Sequence, residues 1–358
     1  MGITLNQHRK HITQTVIARF KDDKQPRQGL SAFFPTTTTS TKLLSIEIER
    51  NRQKVAVDVQ RCTDPVRNIF SHSTEKIFQP PYYNEMFDFT SCQRYEETFG
   101  QNNMPTKVDA KLLLSDANSY LLALKNKILR AIELQRSQVL QSGIVKLKNG
   151  DSIDYKRKAE SMKVLTGTAQ WSDSTNSNPM DDLALGMTFI REKGLSGGTS
   201  INTVFGSNAF ANFMNNKKVK ELADFRKINR VELNTPQFNN VSGMVYHGQI
   251  ATGDYIVNIW TYNETYEDPI TEETKPYIDA DNVVMVSEDF VGKTAFAGVP
   301  AILGDNVSGQ YIGPVEGEFY IRDVIDQVKM AWDFIVSSAP LVVPVSIDRI
   351  YTLKTVAP

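Results

Sequence analysis

Apolar residues recur about every 3.6 positions between residues 106 and 143, in the longest amphipathic stretch of the chain. The stripe is formed by Leu113, Ala117, Leu121, Leu124, Ile128, Ile132 and Val139. Thr106 with Asp109 approximates a capping box at the start, and Gly143 suits the end of a helix. At about 1.5 Å per residue this helix would reach roughly 50 Å. Such a helix is long for an ordinary domain, and its length favours a role as the spine of the molecule.

A period of two, typical of strands, follows the first 41 residues. Residues 42–61 alternate around Ile46 and again around Val57, and the polar ERNRQ between them predicts the tip of a hairpin. Together with the Pro- and aromatic-rich stretch after it, this predicts a long, mainly two-stranded excursion over 42–100. A two-stranded hairpin is only marginally stable in water, so we expect it to need a partner surface.

Residues 1–30 are polar and predominantly basic, with only a narrow apolar stripe. They predict an arm that becomes ordered on another surface. We therefore expect deletion of residues 1–30 to leave the fold intact. The Phe33-Phe34 pair ends at Pro35, and the Thr-rich stretch after it favours extended backbone.

The remaining elements follow from turn signals and periodicity. An Asn-Gly pair within VKLKNGDSIDY (145–155) predicts a hairpin, and GMVYHGQIATGDYIVNIWTYNETY (243–266) predicts two strands that turn at 252–254. LALGMTFIREKG and residues 208–227 are expected to be helical, 282–287 a buried strand, and the C-terminal stretch rich in strands.

The stretch GTAQWSDSTNSNPMDDLALGM (167–187) holds three aspartates and raises the question of a metal site. Asn178 suits an N-cap, Pro179 suits the first helical position, and Asp181 with Asp182 falls in the first turn, where the helix dipole favours negative charge. The spacing of a calcium loop is absent. A helix start is therefore predicted, and no metal site.

Gly292-Lys293-Thr294 after the predicted strand 282–287 is similar to the end of a phosphate-binding loop. Ser287 stands where that loop needs its first glycine. The acidic, bulky EDFV between them is unsuited to a backbone cradle for phosphate, and the following AFAGVP breaks any helix. Nucleotide binding is thus kept only as an unfavoured alternative.

The chain of 358 residues has 40 basic and 41 acidic residues, a net charge of −1, which argues against wholesale attraction to nucleic acid or anionic lipid. The spacing of Cys62 and Cys92 fits no zinc-binding or redox motif. A disulfide bond between subunits stays open. No signal peptide, membrane span or catalytic motif is present, so the sequence predicts cytosolic synthesis and neither an enzyme nor a cofactor.

Several stretches resemble, in the same order, the major capsid proteins of lambda-like tailed bacteriophages, the capsid protein E family. They are FFPTTTTSTKLLSIEI (33–48), the long helix of 106–143, QWSDSTNSNPMDDLA (170–184), AFANFMNNKKVKELADFR (209–226) and FIVSSAPLVVPVSIDRIYTLKTV (334–356). The resemblance spans most of the chain, and the shared order is its specific part.

The resemblance implies an α+β fold of the Hong Kong 97 type. Its parts would be an N-terminal arm (1–41), an extended β-hairpin loop over an adjacent subunit (42–100), a peripheral domain with the spine helix (101–165), an axial α/β domain (166–325) and C-terminal strands that complete the peripheral domain (326–358).

The function so implied is that of a structural protein that assembles into hexamers and pentamers of an icosahedral head around double-stranded DNA. Partners would be other copies, a portal, a scaffold, and DNA held without sequence specificity, with a decoration protein left open. The protein would be located in the virion after assembly in the host bacterial cytoplasm. A cellular encapsulating shell of the same fold is the alternative.

Candidate contacts between subunits lie in the arm and the loop: Arg9, Lys10, Arg19, Phe33, Phe34, Arg50, Arg52 and Lys54. For the basic arm residues, the partner would be carboxylates of a neighbour, with DNA as the alternative.

Overall fold

The computed structural model describes residues 27–49, 73–90, 110–147, 150–223, 231–238, 243–252, 255–268, 271–305, 309–326, 328 and 331–357. The helices in these ranges are α1 Ala110–Ser142, α2 Pro179–Glu192, α3 Ser207–Asn215 and α4 Lys217–Ala223. The first strands are β1 Thr36–Thr38, β2 Leu44–Glu49, β3 Ser73–Phe78, β4 Tyr83–Thr90, β5 Ile144–Lys146, β6 Ser152–Asp154, β7 Met162–Val164, β8 Ser200–Phe205, β9 Val231–Phe238 and β10 Met244–Thr252. The later strands are β11 Tyr255–Tyr262, β12 Thr265–Glu267, β13 Thr274–Pro276, β14 Asn282–Ser287, β15 Gly292–Phe296, β16 Val299–Asp305, β17 Gly309–Val315, β18 Tyr320–Asp326, β19 Ala331–Ser338, β20 Pro340–Pro344 and β21 Ile350–Lys354.

A mixed seven-stranded sheet in the order β7-β21-β14-β8-β11-β10-β9 separates two apolar clusters. Successive side chains of a strand point to opposite faces. In β14, Val284 and Val286 accordingly belong to the cluster that includes α1, while Val283 and Met285 belong to the cluster that includes α2 and α3. All six residues of β14 are buried, as its uninterrupted apolar sequence predicts.

Helix α1 confirms the predicted spine, with 33 residues and a length of about 50 Å. It ends where Gly143 adopts a φ of 70°, a left-handed conformation that favours glycine. The buried Arg157 guanidinium donates to the carbonyl of Leu140 at 2.7 Å, so a cation stabilises the negative end of the helix dipole. The predicted cap at Thr106 lies outside the described residues.

Helix α1 also packs beneath a three-stranded sheet in the order β18-β19-β4. Strand β4 lies within the segment predicted as a two-stranded excursion, yet it pairs along its full length with β19. Phe87 of β4 stacks on Phe334 of β19 at 5.4 Å and contacts Tyr120 of α1. The aromatic residues of this stretch therefore belong to the core around the spine.

The hairpin of the excursion consists of β2 and β3, which pair only with each other among the described residues. The predicted partner strand around Val57 lies outside the described residues, as do residues 50–53 of the predicted tip ERNRQ, whose first residue, Glu49, ends β2. The strand found opposite β2 is instead Ser73–Phe78.

Other predicted elements are confirmed with two adjustments. Strands β10 and β11 form the predicted antiparallel pair, and β5 with β6 forms the short hairpin around Gly150. The stretch 208–227 contains two helices, because the chain breaks between α3 and α4 at the buried Asn216. Strand β21 joins the seven-stranded sheet beside β14, so the C-terminal strands serve both parts of the molecule.

No helix in the described ranges is long and apolar enough to cross a membrane.

Candidate functional site

Two of the eight predicted contact residues lie in the described part of the chain. Arg9, Lys10, Arg19, Arg50, Arg52 and Lys54 fall outside it. The remaining two, Phe33 and Phe34, adjoin a short 3-10 helix that spans Gly29–Phe33.

The ring of Phe34 is 0% exposed within its own chain and packs edge-on against Phe290, with ring centroids 5.5 Å apart. The ring is therefore packed within its own chain, and an intersubunit contact of Phe34 stays a prediction. The apolar pair followed by proline signals an anchor on the chain's own core. Phe33 is only partly buried and stays a candidate.

A buried ion pair on α1 fixes this anchor. Glu133 and Arg136 are 1% and 2% exposed, and the Arg136 guanidinium donates to the Glu133 carboxylate at 3.0 Å. The same carboxylate accepts the backbone N–H of Leu30 at 2.8 Å and the hydroxyl of Tyr262 at 3.0 Å. One side chain of the spine thereby holds both the N-terminal segment and strand β11.

Arg136 forms further hydrogen bonds that attach the N-terminal segment to helix α1. Its guanidinium donates to the Gln28 side-chain oxygen at 2.8 Å and to the Thr294 hydroxyl at 3.2 Å. Thr294 in turn donates to the carbonyl of Phe34 at 3.1 Å. Residues 28 to 34 are thus tied at both ends to one buried pair, and we call Gln28, Leu30, Glu133, Arg136 and Thr294 the polar anchor.

Burial and hydrogen bonding oppose each other at Glu133. Burial raises the pKa of its carboxyl, while Arg136 and the two donors from Leu30 and Tyr262 act to lower it. Burial, together with the neighbouring Glu133, also raises the pKa of Tyr262, which stays a neutral donor. A buried charge is tolerated only when it is paired and hydrogen-bonded, and the polar anchor meets both conditions.

The segment from Pro35 onward continues as β1, which pairs in parallel with β15. Strand β15 contains Gly292-Lys293-Thr294, and its other edge pairs with β20. The triplet is therefore the middle of a three-stranded sheet and not a loop that precedes a helix, which overturns the nucleotide-binding alternative. Gly292 is required by packing, because a Cβ there would lie 2.5 Å from the Phe34 ring.

The three aspartates of 167–187 have separate structural roles. Asp173 accepts the backbone N–H groups of Thr175 and Asn176, and hydrogen bonds from Asn176 lower the pKa of this exposed carboxyl. Asp181 accepts from the side chain of Asn178. Helix α2 begins at Asn178 as predicted, but the Asn178 side chain does not cap the backbone.

Asp182 has a role that the sequence did not indicate. It is 9% exposed and accepts the indole N–H of the buried Trp171 at 3.0 Å and the ammonium of Lys163 at 3.2 Å. It thus ties the polar loop, strand β7 and α2 together. Within the described ranges, no three metal-ligating side chains lie close enough to share an ion.

The polar anchor was also missed by sequence reasoning. Glu133 and Arg136 flank the apolar stripe of a long helix, where charged residues usually face solvent. The i, i+3 spacing of opposite charges was the only signal, and on a surface it would have meant little.

A family model for "Phage major capsid protein E" matches residues 13–355 of this chain. No curated protein matches the sequence. Among solved structures, a putative capsid protein of a prophage of Escherichia coli CFT073 is 17% identical, with all of both chains covered and a TM-score of 0.61.

Two further structures are similar in fold. A phage-related protein from Bordetella bronchiseptica RB50 is 11% identical over 96% of each chain, with a TM-score of 0.54. The capsid protein of cyanophage A-1(L) is 10% identical over 94% of each chain, with a TM-score of 0.50. The fold is therefore shared along nearly the whole chain, at low sequence identity.

Proposed function

Since the chain belongs to the phage major capsid protein E family and is thus a structural protein of a bacteriophage capsid, we propose that it assembles as hexamers and pentamers around double-stranded DNA. The family match over residues 13–355 carries this conclusion. The mixed α+β fold is that of phage capsid proteins. The chain then acts by geometry and not by catalysis.

The proposed parts follow the Hong Kong 97 plan. Helix α1 is the spine of a peripheral domain, the seven-stranded sheet with α2 and α3 is the core of the axial domain, and β2 with β3 is the base of the extended loop. That hairpin gains no third strand from the described part of its own chain, which supports a role in reaching an adjacent subunit.

The polar anchor refines the proposed arm. Residues 28 to 34 are bonded to the spine, so the part of the arm available to a neighbour is the segment before residue 27. Arg9, Lys10 and Arg19 lie in that segment and are proposed to contact carboxylates of an adjacent subunit. Phe33, Phe34, Arg50, Arg52 and Lys54 are kept as proposed contacts of the inner arm and loop.

The proposed partners beyond other copies are a portal and a scaffold, with a decoration protein left open. Packaged DNA would meet the inner face without sequence specificity, which agrees with a net charge of −1. The protein would be a virion component assembled in the host cytoplasm. A cellular shell of the same fold would be distinguished by its contents.

Electron microscopy of the purified protein, produced alone and with its neighbouring genes, tests the proposal. Closed shells or rings of five or six subunits are expected. A monodisperse monomer under every condition would contradict the proposal. Particles that hold an enzyme and no genome would favour the cellular shell.

Two truncations separate assembly from folding. Removal of residues 1–26 should leave the thermal midpoint unchanged and reduce the shell yield. Removal of residues 1–30 also deletes Leu30, whose buried side chain and N–H are part of the polar anchor, and should lower the midpoint as well. This prediction differs from the expectation, drawn from the sequence alone, that residues 1–30 are dispensable for the fold. Undiminished shells without residues 1–26 would refute the arm's role.

A further inference from the structure

Strand β10 changes face in the middle of its length. Met244 belongs to the apolar cluster that includes α1, whereas Ile250 belongs to the cluster that includes α2 and α3. Residues an even number of positions apart share a face in a regular strand, so one extra residue must stand between them. The register with β11 places the irregularity between Tyr246 and Gly248, and His247 is therefore the extra residue of a β-bulge.

The neighbouring strand β9 is irregular at the same place. Residues 234–236 of β9 lie between its paired positions, opposite His247. One of them is Pro236, and proline is confined to edge strands and bulges because it has no N–H to donate. Gly248 has a φ of 131°, which favours glycine. Bulges of this kind turn a side chain away from the direction that a regular strand would give it.

The side chain of His247 joins helix α3 to the sheet. Its ring lies against that of Phe210 of α3, with centroids 4.4 Å apart and planes inclined by 35°. Its Nε2 atom lies 2.9 Å from the hydroxyl oxygen of the buried Thr261 of β11. Phe210 in turn contacts Phe205, and Phe205 contacts Trp171. The half-buried imidazole is thus one end of an aromatic cluster.

The elements packed against this imidazole offer no charge that would compensate a proton. Helix α3 has no titratable residue, and β11 has only Tyr255 and Tyr262. Strand β10 itself adds Tyr246. The carboxylate residue of β9, Glu232, is paired in the register with Gln249, beyond the bulge. Burial accordingly lowers the pKa of the imidazole.

The two direct contacts do not replace the water that a cation would lose. The Thr261 hydroxyl accepts a hydrogen bond from a neutral or a charged ring, so it does not select the charged form. The face of Phe210 attracts a cation, but less strongly than water solvates it. A metal ion does not suit the position either, because no three ligating side chains lie together within the described ranges.

We propose that His247 is a proton-sensitive contact, which holds helix α3 on the seven-stranded sheet while the imidazole is neutral and loosens that helix when the imidazole takes up a proton. This inference goes beyond the proposed function, since it concerns the subunit itself. It is measured on soluble subunits, whereas the capsid function is measured on particles, so the failure of one leaves the other standing.

The sign of the pH dependence follows from the lowered pKa of His247. The neutral form stabilises the fold above the pKa of an unfolded histidine, about 6.5, and this stabilisation is lost as the pH falls through the pKa of the folded chain. Carboxylates ordinarily titrate near pH 4, and a comparison of variants at one pH removes the contribution that they share.

Urea unfolding of soluble subunits at about pH 7.5 and about pH 5.5 is the first test. The unchanged chain should lose more stability between these two values than His247→Gln does. The matched control replaces the other three histidines, His8, His11 and His72, by glutamine and should keep the full loss. Equal losses in the unchanged chain and in His247→Gln would overturn the inference.

The control chain also allows a direct titration that does not depend on the folding of His247→Gln. It contains one histidine, whose ring signals can be followed by NMR, and its pKa is expected below that of an unfolded histidine. Phe210→Ala should raise this pKa, because it exposes the ring, whereas Leu185→Ala at an exposed position of α2 should not change it. A pKa at or above about 6.5 would refute the proposal.

Hydrogen exchange shows whether the effect reaches α3. At about pH 5.5, the amides of residues 207–215 should exchange faster in the unchanged chain than in His247→Gln, while those of 179–192 in α2 should exchange equally in both. Equal protection of α3 in the two chains would mean that protonation leaves the helix in place and would contradict the proposal.

Discussion

Replacement of Arg136 by methionine tests whether the polar anchor holds the N-terminal segment to the spine. Methionine keeps much of the side-chain volume but removes the donors to Gln28, Glu133 and Thr294. Glu133 would remain 1% exposed without its counter-ion. Removal of one partner of a buried pair costs about 3–5 kcal/mol, because the other charge stays buried.

The expected loss is near the middle of that range. The hydroxyl of Thr294 can still donate to Phe34, but the half-buried Gln28 side chain loses its donor partner, which adds a smaller cost. The two contributions share groups and will not add fully. A combined decrease of about 4 kcal/mol in the free energy of unfolding is therefore expected.

Urea unfolding of soluble subunits, followed by tryptophan fluorescence, measures this decrease. The matched control is Arg130→Met on the same helix, whose side chain is exposed and whose loss should change the free energy of unfolding by about 0.5 kcal/mol or less. If the two variants unfold at the same urea concentration with the same slope, the polar anchor contributes nothing to stability and the reasoning is refuted.

Two further substitutions test the packing and the electrostatics. Gly292→Ala would place a Cβ 2.5 Å from the Phe34 ring and should lower the free energy of unfolding, measured in urea, by about 1–3 kcal/mol. Gly198→Ala is the control and should be tolerated, because no atom lies closer than 3.7 Å to the added Cβ. Equal losses in the two variants would contradict the packing argument. Burial raises the pKa of Asp289, but hydrogen bonds from its neighbours and the charge of Arg349 outweigh burial, so the net pKa is lowered. The ionised form then stabilises the fold above the pKa of the unfolded chain and ceases to do so in acid, so Asp289→Asn should lower the thermal midpoint at neutral pH and much less in acid; a loss independent of pH would contradict this.

The elements with strong periodicity could be predicted from the sequence. The hydrophobic patterns of helix α1 and strand β14 each allow one interpretation, and both predicted elements are confirmed. The hairpin of β10 and β11 followed in the same way from its turn residues. Local pattern suffices here because the elements are long or uniformly apolar.

The partners of each element could not be predicted. The pairing of β4 with β19 joins residues about 250 positions apart, and no local signal carries that information. The packing of Phe34 within its own chain could not be predicted for a related reason. An apolar pair in a polar segment indicates burial, but the sequence does not say whether the covering surface belongs to the same chain or to another copy.

The polar anchor shows that the surface covering residues 28 to 34 belongs to the same chain. Residues 28 to 34 are held by hydrogen bonds to Glu133 and Arg136, groups that an isolated subunit already buries. The ordering entropy of this part is therefore offset during folding, while the proposed contacts with a neighbour belong to the segment before residue 27. Under that proposal, truncation up to residue 26 and disruption of the polar anchor should differ in kind. The first should remove contacts between subunits, and the second should remove the attachment of residues 28 to 34 to helix α1.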